Sequence, residues 1–220
     1  WVINDGTPGH EAEDYLGSLD DPRIHYHVQP NLGLGGARNT GMEMAQKEYI
    51  QFLDADDFYL ENRFEIDSKI FASDATIDGV YNAIGVHFYR DFSDEEHQEL
   101  ALTTVTAAIP PKELFGYLLN GKKGYFSIDG LTIKKEVLTK IGLFQEHLVV
   151  AEDTDWLLKM ALNSKLVAGN IKEAVAMRGV HDTNIFNQTE QYKIHRQKMY
   201  ESVICWSFQN NIGKTKIDLL

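Results

Sequence analysis

The stretch that decides the fold is Tyr49-Ile50-Gln51-Phe52-Leu53-Asp54-Ala55-Asp56-Asp57. Its first five residues predict a buried strand, and its last four place three carboxylates at the carboxyl end of that strand. Like charges this close repel each other and cannot all remain ionised unless a cation compensates them. Carboxylate oxygens suit magnesium or manganese, although a solvated Asp-rich turn explains this motif equally well when it is taken alone.

Four further segments lie upstream of this strand and alternate between strand and helix. They are a strand at 1–3, a helix at 12–19, a strand at 24–28 and a helix at 37–46. The order strand, helix, strand, helix, strand predicts an α/β domain with a mostly parallel sheet covered by helices. Ligands bind beyond the carboxyl ends of the strands in such sheets. Asp5 follows the first strand, so we expect it to lie in the same layer as Asp54.

The second half of the chain is less regular. Its pattern predicts a helix at 61–71, a strand at 79–89, an acidic loop at 91–99, a strand at 102–109, a helix at 112–119, a strand at 131–133, a helix at 152–162, one or two strands within 166–177 and a helix at 188–208. The last helix carries an apolar face that includes Met199 and Trp206. Packing on the core is the favoured role of that face, and docking on a membrane surface is the alternative.

A glycine-rich loop at Asn31–Gly36 leads into the second helix, within a motif that runs from Asn31 to Gly41. Gly33 and Gly35 match the start of a dinucleotide-binding fingerprint, but Arg38 occupies the position of its third glycine, so that fingerprint fails. No Gly-Lys-Ser/Thr follows, which excludes a P-loop. The remaining interpretations are an anion site at the helix N-terminus with Arg38, or glycines that serve the backbone alone.

Two other patches carry charged residues at element ends. Glu152-Asp153-Thr154-Asp155 opens a helix, and composition alone favours helix capping for this patch. Arg178 and His181 follow the last strand. A lone histidine is more often structural than a ligand, yet a loop after a strand is a suitable place for a ligand.

Length, charge and cysteine content exclude several classes of protein. The 220 residues contain no linker, which favours one larger α/β domain. The 33 acidic and 21 basic residues give a formal net charge of −12, which argues against a nucleic-acid partner. The single cysteine, Cys205, excludes a disulfide scaffold and a cysteine-rich zinc site within the chain. Residues 24–37 form the longest run without Asp, Glu, Lys or Arg, and they fall short of the ~20 apolar residues of a membrane span.

Taken in order, four patches resemble the inverting glycosyltransferases of family 2, which have the GT-A nucleotide-diphospho-sugar transferase fold. The family pattern is an apolar strand with D/N-D-G-S, then N-x-G-x-x-x-A-R-N-x-G, then F-L-D-x-D-D, and finally E-D-x-D. The matching residues are Val2–Thr7, Asn31–Gly41, Phe52–Asp57 and Glu152–Asp155, the last preceded by Ile141–Phe144. Four patches in the same order are specific, and the resemblance covers Trp1 to about His181.

The resemblance implies a role for each candidate site residue. Asp5 would contact the uracil of a UDP-sugar, Arg38 would lie near the donor's phosphates or ribose, and Asp54 would face the ribose and sugar. Asp56 would bind the metal, and His181 would be a further metal or diphosphate ligand. Asp153 would be the general base, and Arg178 would join Arg38 in offsetting the acidic charge around the donor. The implied metal is manganese or magnesium, which neutralises the leaving diphosphate. Asp153 would take the proton of the acceptor hydroxyl in one displacement that inverts the anomeric centre.

The same resemblance implies a GT-A domain over residues 1–182, with a nucleotide-sugar-binding part at 1–58 and an acceptor-binding and catalytic part at 79–182. Residues 183–220 are expected to form a C-terminal helical extension. Family members begin with a strand and a helix before the D-D-G-S strand, so we expect this chain to lack the first βα unit. Thr7-Pro8-Gly9 also replaces the usual Ser-Thr-Asp.

The implied acceptor is a hydroxyl of a glycan or of a lipid-linked sugar, in the synthesis of a bacterial capsule or another surface polysaccharide. A lipid-linked acceptor implies a cytoplasmic enzyme with peripheral association at the inner face of the cell membrane. The sequence carries no signal for an oligomeric state.

Two other functions account for part of the sequence. A haloacid-dehalogenase-like phosphatase also has an apolar strand that ends in D-x-D, and Asp54 would then be a covalent nucleophile. Phe58 stands where that class has Thr or Val, which disfavours it. A non-catalytic domain that binds a sugar nucleotide, or acts as a scaffold, is the second alternative.

Overall fold

The computed structural model describes residues 1–121, 123–182 and 189–217. Its strands and helices are, in chain order, β1 (Val2–Asp5), α1 (Glu11–Ser18), β2 (Tyr26–Gln29), α2 (Gly33–Met44), β3 (Tyr49–Gln51), β4 (Phe58–Tyr59), α3 (Glu65–Ser73), β5 (Gly79–Tyr81), β6 (Gly85–Phe88), α4 (Asp94–Leu100), α5 (Pro111–Asn120), β7 (Leu131–Lys134), α6 (Leu138–Ile141), α7 (Glu152–Asn163), β8 (Leu166–Ala168), β9 (Ala176–Val180), α8 (Thr189–Gln209) and α9 (Lys214–Ile217). Short 3-10 helices at Ile128–Gly130 and Lys135–Val137 flank β7. The predicted α/β class is confirmed.

The strands form a pair and two larger sheets. The pair is β1-β2, the four-stranded sheet has the order β3-β7-β5-β8, and the three-stranded sheet has the order β4-β9-β6. Pairing is parallel in β1-β2, β5-β8 and β6-β9, and antiparallel in β3-β7, β5-β7 and β4-β9. The sheets are therefore mixed, not mostly parallel as the strand-helix alternation predicts. The alternation of strands and helices does not reveal that β7 runs antiparallel to both of its neighbours. A strand that is buried on both faces is apolar whichever way it runs, so its sequence gives no sign of its direction.

One apolar core lies between the four-stranded sheet and the helices on it. Trp156 of α7 is fully buried and stacks on Phe144, with ring centroids 4.8 Å apart. Helix α8 adds Met199 and Val203 to the same core, so the predicted core packing of this helix is confirmed. Its Trp206 also donates a hydrogen bond from Nε1 to the carbonyl of Ile141, at 3.1 Å. The helix predicted at the C-terminus thus shares the core of the preceding domain.

Several local predictions need correction. The predicted acidic loop at 91–99 contains helix α4, because Ser93 caps it by accepting a hydrogen bond from the N–H of Glu96. The predicted strand at 102–109 is limited to isolated bridges at Thr103 and Val105. The strand predicted at 79–89 is divided into β5 and β6. None of the helices in the described ranges is both long and apolar enough to cross a membrane.

Candidate active site

Three carboxylates come together beyond the carboxyl end of β3. The chain turns directly after the strand, where the N–H of Asp57 donates to the carbonyl of Asp54 at 3.1 Å. Asp129 reaches the same place from the 3-10 helix that precedes β7, the strand that pairs with β3. Carboxylate oxygens of Asp54, Asp57 and Asp129 lie within 4.8 Å of one another. We call these three residues the acidic cluster.

The ionisation of the acidic cluster is strongly perturbed. Burial is the main cause that raises the pKa of Asp57 from its ordinary 3.8 to about 8, and the neighbouring Asp129 carboxylate adds to it. Burial, followed by the charge of Asp54, also raises the pKa of Asp129 to about 6. Asp57 Oδ1 accepts from the N–H of Gly179 at 2.8 Å, whereas its buried Oδ2 has no hydrogen-bond partner among the described residues. An unsatisfied buried oxygen among three carboxylates fits a divalent cation.

The predicted metal ligands Asp56 and His181 lie together beside this cluster. His181 Nε2 is 2.9 Å from Asp56 Oδ2, although 125 residues separate them in sequence. Both side chains are half-buried. The structure therefore brings together the two residues that the sequence assigns to the metal, and their role as ligands stays a prediction.

Arg38 joins the end of β3 to the start of α7. Its Nη2 donates to both oxygens of Asp54, at 2.9 and 3.0 Å, and its Nη1 donates to Glu152 Oε1 at 2.8 Å. Arg38 is buried, with 8% of its surface exposed. Burial alone would lower the pKa of Arg38, but the charges of Asp54 and Glu152 outweigh it and raise the pKa. Arg38 is thus a fixed cation in the middle of the site, held by two motifs that are far apart in sequence.

The helix that carries the predicted general base begins in a constrained conformation. Ala151, the residue before α7, has a φ of 64°, a left-handed value that is uncommon outside glycine. Glu152 then points into the protein toward Arg38, and burial raises its pKa to about 7, with a further contribution from Asp153. Asp153 is half-buried, and its Oδ1 accepts from the N–H of Thr154 at 2.6 Å. The structure thus places Glu152 and Asp153 at the site, beside Arg38.

Two other predicted site residues, Asp5 and Arg178, lie on β1 of the two-stranded pair and on β9 of the three-stranded sheet. Asp5 Oδ1 accepts from Gln29 Nε2 at 2.7 Å and from the N–H of Leu32 at 2.9 Å, so it ties the end of β1 to the glycine-rich loop. Gly33, the first residue of α2, has a φ of +80°, which explains a glycine at this turn. Arg178 directly precedes Gly179 on β9. Because successive strand residues point to opposite faces, these two positions face opposite sides of the sheet.

Sequence reasoning missed Asp129 as part of the site. A buried polar network supports it from behind: Arg63 Nη2 donates to the Asp129 carbonyl at 3.2 Å, and Arg63 Nη1 donates to Asp67 Oδ2 at 2.8 Å. Asn82 Nδ2 donates to Asp67 Oδ1 at 2.9 Å. An isolated aspartate between Ile128 and Gly130 gives no signal in the sequence, because its position depends on the pairing of β7 with β3.

The mixed sheets flanked by helices, together with the carboxylates beyond β3, define a class of fold, the GT-A type of glycosyltransferase. The chain superposes on the crystal structure of S. aureus TarS 1-349 with a TM-score of 0.67 and 15% identity, over 99% of this chain and 58% of that one. It also superposes on the mannosyltransferase PcManGT of Pyrobaculum calidifontis with a TM-score of 0.58 and 13% identity, over 92% of this chain and 54% of that one.

The family follows from the sequence comparison. The family model described as glycosyl transferase family 2 matches residues 1–142. The chain therefore belongs to glycosyl transferase family 2, as its four motifs predict. It is 36% identical to the uncharacterized glycosyltransferase EpsJ of Bacillus subtilis, over 96% of this chain and 61% of that protein. It is 26% identical to the succinoglycan biosynthesis protein ExoW of Rhizobium meliloti, over 86% of this chain and 61% of that protein. The chain thus spans about three fifths of the length of these two relatives.

Proposed function

We propose that this chain is a metal-dependent inverting glycosyltransferase that moves a sugar from a UDP-sugar to a hydroxyl of a glycan or lipid-linked acceptor. The observation that carries the proposal is the double contact of Arg38 with Asp54 and Glu152. This contact joins the D-x-D strand end to the E-D-x-D helix start. A donor-binding carboxylate group and a candidate base are thus held in one site.

The donor assignment draws support from the solved structures with the same fold. TarS has been crystallised with UDP and with UDP-GlcNAc. PcManGT has been crystallised with GDP-Man and Mn2+. A nucleotide-diphospho-sugar therefore suits the fold, and we propose the uridine form for this chain, with Asp5 at the base and Arg38, Asp54 and Arg178 around the diphosphate and sugar.

We propose that manganese or magnesium is held by the acidic cluster together with Asp56, with His181 beside it. The cation, when bound, neutralises charge on the leaving diphosphate. The chain's own contribution is the set of hard oxygen ligands, including the buried Asp57 Oδ2. Arg38 offsets the carboxylate of Asp54, which belongs to the cluster, and that of Glu152, and so limits the negative charge that an anionic donor meets.

Asp153 would act as the general base. It would accept the proton of the acceptor hydroxyl while the hydroxyl oxygen forms a bond to the anomeric carbon. The bond between that carbon and the diphosphate oxygen breaks at the same time, which inverts the configuration. The hydrogen bond from Thr154 fixes one carboxylate oxygen and so orients the group.

The cellular role that we propose is bacterial surface polysaccharide synthesis at the cytoplasmic face of the membrane. Support comes from relatives that are named for such synthesis: ExoW, and the minor teichoic acid biosynthesis protein GgaB of Bacillus subtilis, which is 28% identical over 79% of this chain. The alternative phosphatase function has little support, because the chain matches glycosyl transferase family 2 and Phe58 stands where the phosphatase class has Thr or Val.

A donor screen tests the proposal. UDP-sugars are incubated with the chain, manganese and a glycan acceptor, and the release of UDP is measured. We expect Asp153→Asn to lower the transfer rate by about 10²–10⁴-fold, the usual contribution of a general base. Asp14→Asn, an exposed change on α1, is the matched control and should leave the rate unchanged.

Equal rates in wild-type and Asp153→Asn protein would contradict the role of Asp153. Calorimetry with UDP and manganese separates the enzyme from the scaffold alternative. An absence of UDP binding by the folded wild-type chain would overturn the proposed function.

A further inference from the structure

A row of aromatic side chains extends away from the acidic site across the three-stranded sheet. It contains Phe58 of β4, His87 of β6, and Tyr89 directly after β6. The Phe58 and His87 rings are 5.5 Å apart and the His87 and Tyr89 rings are 4.6 Å apart, both edge to face. The Tyr89 side chain is exposed, with 57% of its surface accessible, and His87 is also exposed. Exposed aromatic side chains that group together on one face mark a candidate binding surface.

The topology of this sheet connects the row to the site. Strand β4 follows Asp57 directly, and the end of β9 leads to His181. Because β6 runs parallel to β9, with Phe88 beside Val180, the carboxyl ends of both strands lie at the same edge. The Tyr89 hydroxyl lies 3.5 Å from the Asp56 carbonyl oxygen, toward which it is able to donate. The aromatic row therefore begins at one wall of the acidic site.

Gly179 permits this close approach. A Cβ atom at residue 179 would lie 2.4 Å from the Asp56 carbonyl oxygen and 2.9 Å from Cε2 of Tyr89. Both distances are too short for a methyl group. Tyr89 therefore reaches the backbone of the D-x-D segment only because glycine occupies this position on β9.

A shallow cavity of about 690 Å³, wide open to solvent, lies next to Tyr89, and the surface that lines it is mainly polar. It is lined by Phe88, Tyr89, Arg90, Asp91 and Asp182. Arg90 binds Glu96 and lies 3.5 Å from Asp182, measured from Nε to Oδ1. Its single positive charge is therefore balanced, and among the described residues that line the cavity the carboxylates of Asp91 and Asp182 outnumber it.

We infer that this cavity and Tyr89 form the subsite for the acceptor sugar, and that its ligand is an uncharged pyranose ring. The inference rests on the proposed function. The apolar face of a pyranose ring packs against an aromatic ring, and its hydroxyls donate to the carboxylates of Asp91 and Asp182. An acceptor that carries phosphate would be repelled by the excess of negative charge.

Acceptor kinetics test this subsite. The donor is UDP-GlcNAc, or whichever UDP-sugar the donor screen selects, and the acceptors are p-nitrophenyl pyranosides of glucose, galactose and N-acetylglucosamine, with glycerol phosphate as the charged probe. We expect Tyr89→Ala to raise the KM for the pyranoside about tenfold and to change the KM for the donor by less than about twofold, since only packing against the acceptor is lost. Tyr15→Ala, on an equally exposed tyrosine of α1, should change neither constant.

The outcomes distinguish the subsite from the function. Suppose that the wild-type protein binds UDP and hydrolyses the donor. If Tyr89→Ala then leaves the KM for the pyranoside unchanged, or raises the KM for the donor as much as the KM for the pyranoside, the subsite is overturned and the function stands. Preference of the wild type for glycerol phosphate would also overturn it. If the wild type neither binds UDP nor hydrolyses any donor, the proposed function itself fails. Saturation-transfer NMR of the pyranoside without donor gives a second measurement, in which Tyr89→Ala should lose the signal and Tyr89→Phe should retain it.

Discussion

Two groups of buried charges in this molecule differ in their balance. In the acidic cluster and its surroundings, Arg38 faces more carboxylates than it is able to neutralise, and Asp57 keeps an oxygen without a hydrogen-bond partner among the described residues. On α7, Asp155 and Lys159 form a single pair with 2.6 Å between Oδ2 and Nζ, and both side chains are almost fully buried.

The contrast distinguishes residues suited to bind a ligand from residues that stabilise the fold. The buried pair has matched charges and so offers no net charge to a cation, although Asp155 Oδ1, like Asp57 Oδ2, has no hydrogen-bond partner among the described residues. Lys159 also donates to Ser202 of α8 at 2.9 Å, so the pair links two helices. An unmatched group stores unfavourable free energy that a bound cation releases. We therefore expect mutations in the first group to change ligand binding, and mutations in the second to change stability.

The largest effect should follow from Asp57→Asn. The acidic cluster would lose a charged oxygen, so manganese should no longer raise the thermal midpoint, and the transfer rate should fall by about a hundredfold or more, since a Lewis acid contributes several kcal/mol. Differential scanning fluorimetry with and without manganese, followed by the transfer assay, measures both effects. Asp14→Asn is again the control. A full manganese-induced shift in the Asp57→Asn protein would show that the cation does not bind at this cluster.

The next largest effect concerns the matched pair. Asp155→Ala would leave the Lys159 ammonium buried without its counter-charge, and we expect the free energy of unfolding to fall by about 3–5 kcal/mol. Urea denaturation measures this. The double variant Asp155→Leu with Lys159→Met removes both charges and should recover most of the loss. A single-variant loss below about 1 kcal/mol, the value typical of an exposed ion pair, would contradict the assignment.

The sequence predicts the part of the site that is continuous along the chain. Asp54, Asp56 and Asp57 follow an apolar strand, and Arg38 and Asp153 lie in motifs with fixed spacing. Helix α7 is predicted at 152–162 and observed at Glu152–Asn163. Such elements are predictable because the period of apolar residues and the residues at element ends depend on local structure.

The parts that escape prediction depend on distant pairing. Asp129 enters the acidic cluster only because β7 pairs with β3. This pairing is antiparallel, and it is also one reason why the prediction of a mostly parallel sheet is wrong. The double contact of Arg38 is also invisible in sequence, because Asp54 and Glu152 stand 98 residues apart. Conversely, α4 was missed although Ser93 and the acidic residues after it form a recognisable helix start.

The smallest effect is expected from pH, and it again separates the two groups. With metal chelated, Asp57 has a pKa of about 8 in the folded protein and an ordinary value of 3.8 in the unfolded chain. Between these values the folded state keeps a proton that the unfolded state has lost, so stability is present at low pH and falls as the pH rises from about 4 to 8. Partial solvent exposure of Asp57 keeps the effect modest.

Urea denaturation across this pH range, in chelator and in manganese, measures the slope. Asp57→Asn removes the carboxyl of the site whose pKa is raised most and should reduce the slope in chelator, while Asp129 and Glu152, whose pKa values are also raised, keep part of it. Manganese should also reduce the slope for the wild type because the bound cation favours the ionised carboxylate. The pair of Asp155 with Lys159 should contribute less, because its two charges compensate each other. If the slope in chelator were the same in wild-type and Asp57→Asn protein, the unmatched charge would lie elsewhere, and the contrast between the two groups would lose its physical basis.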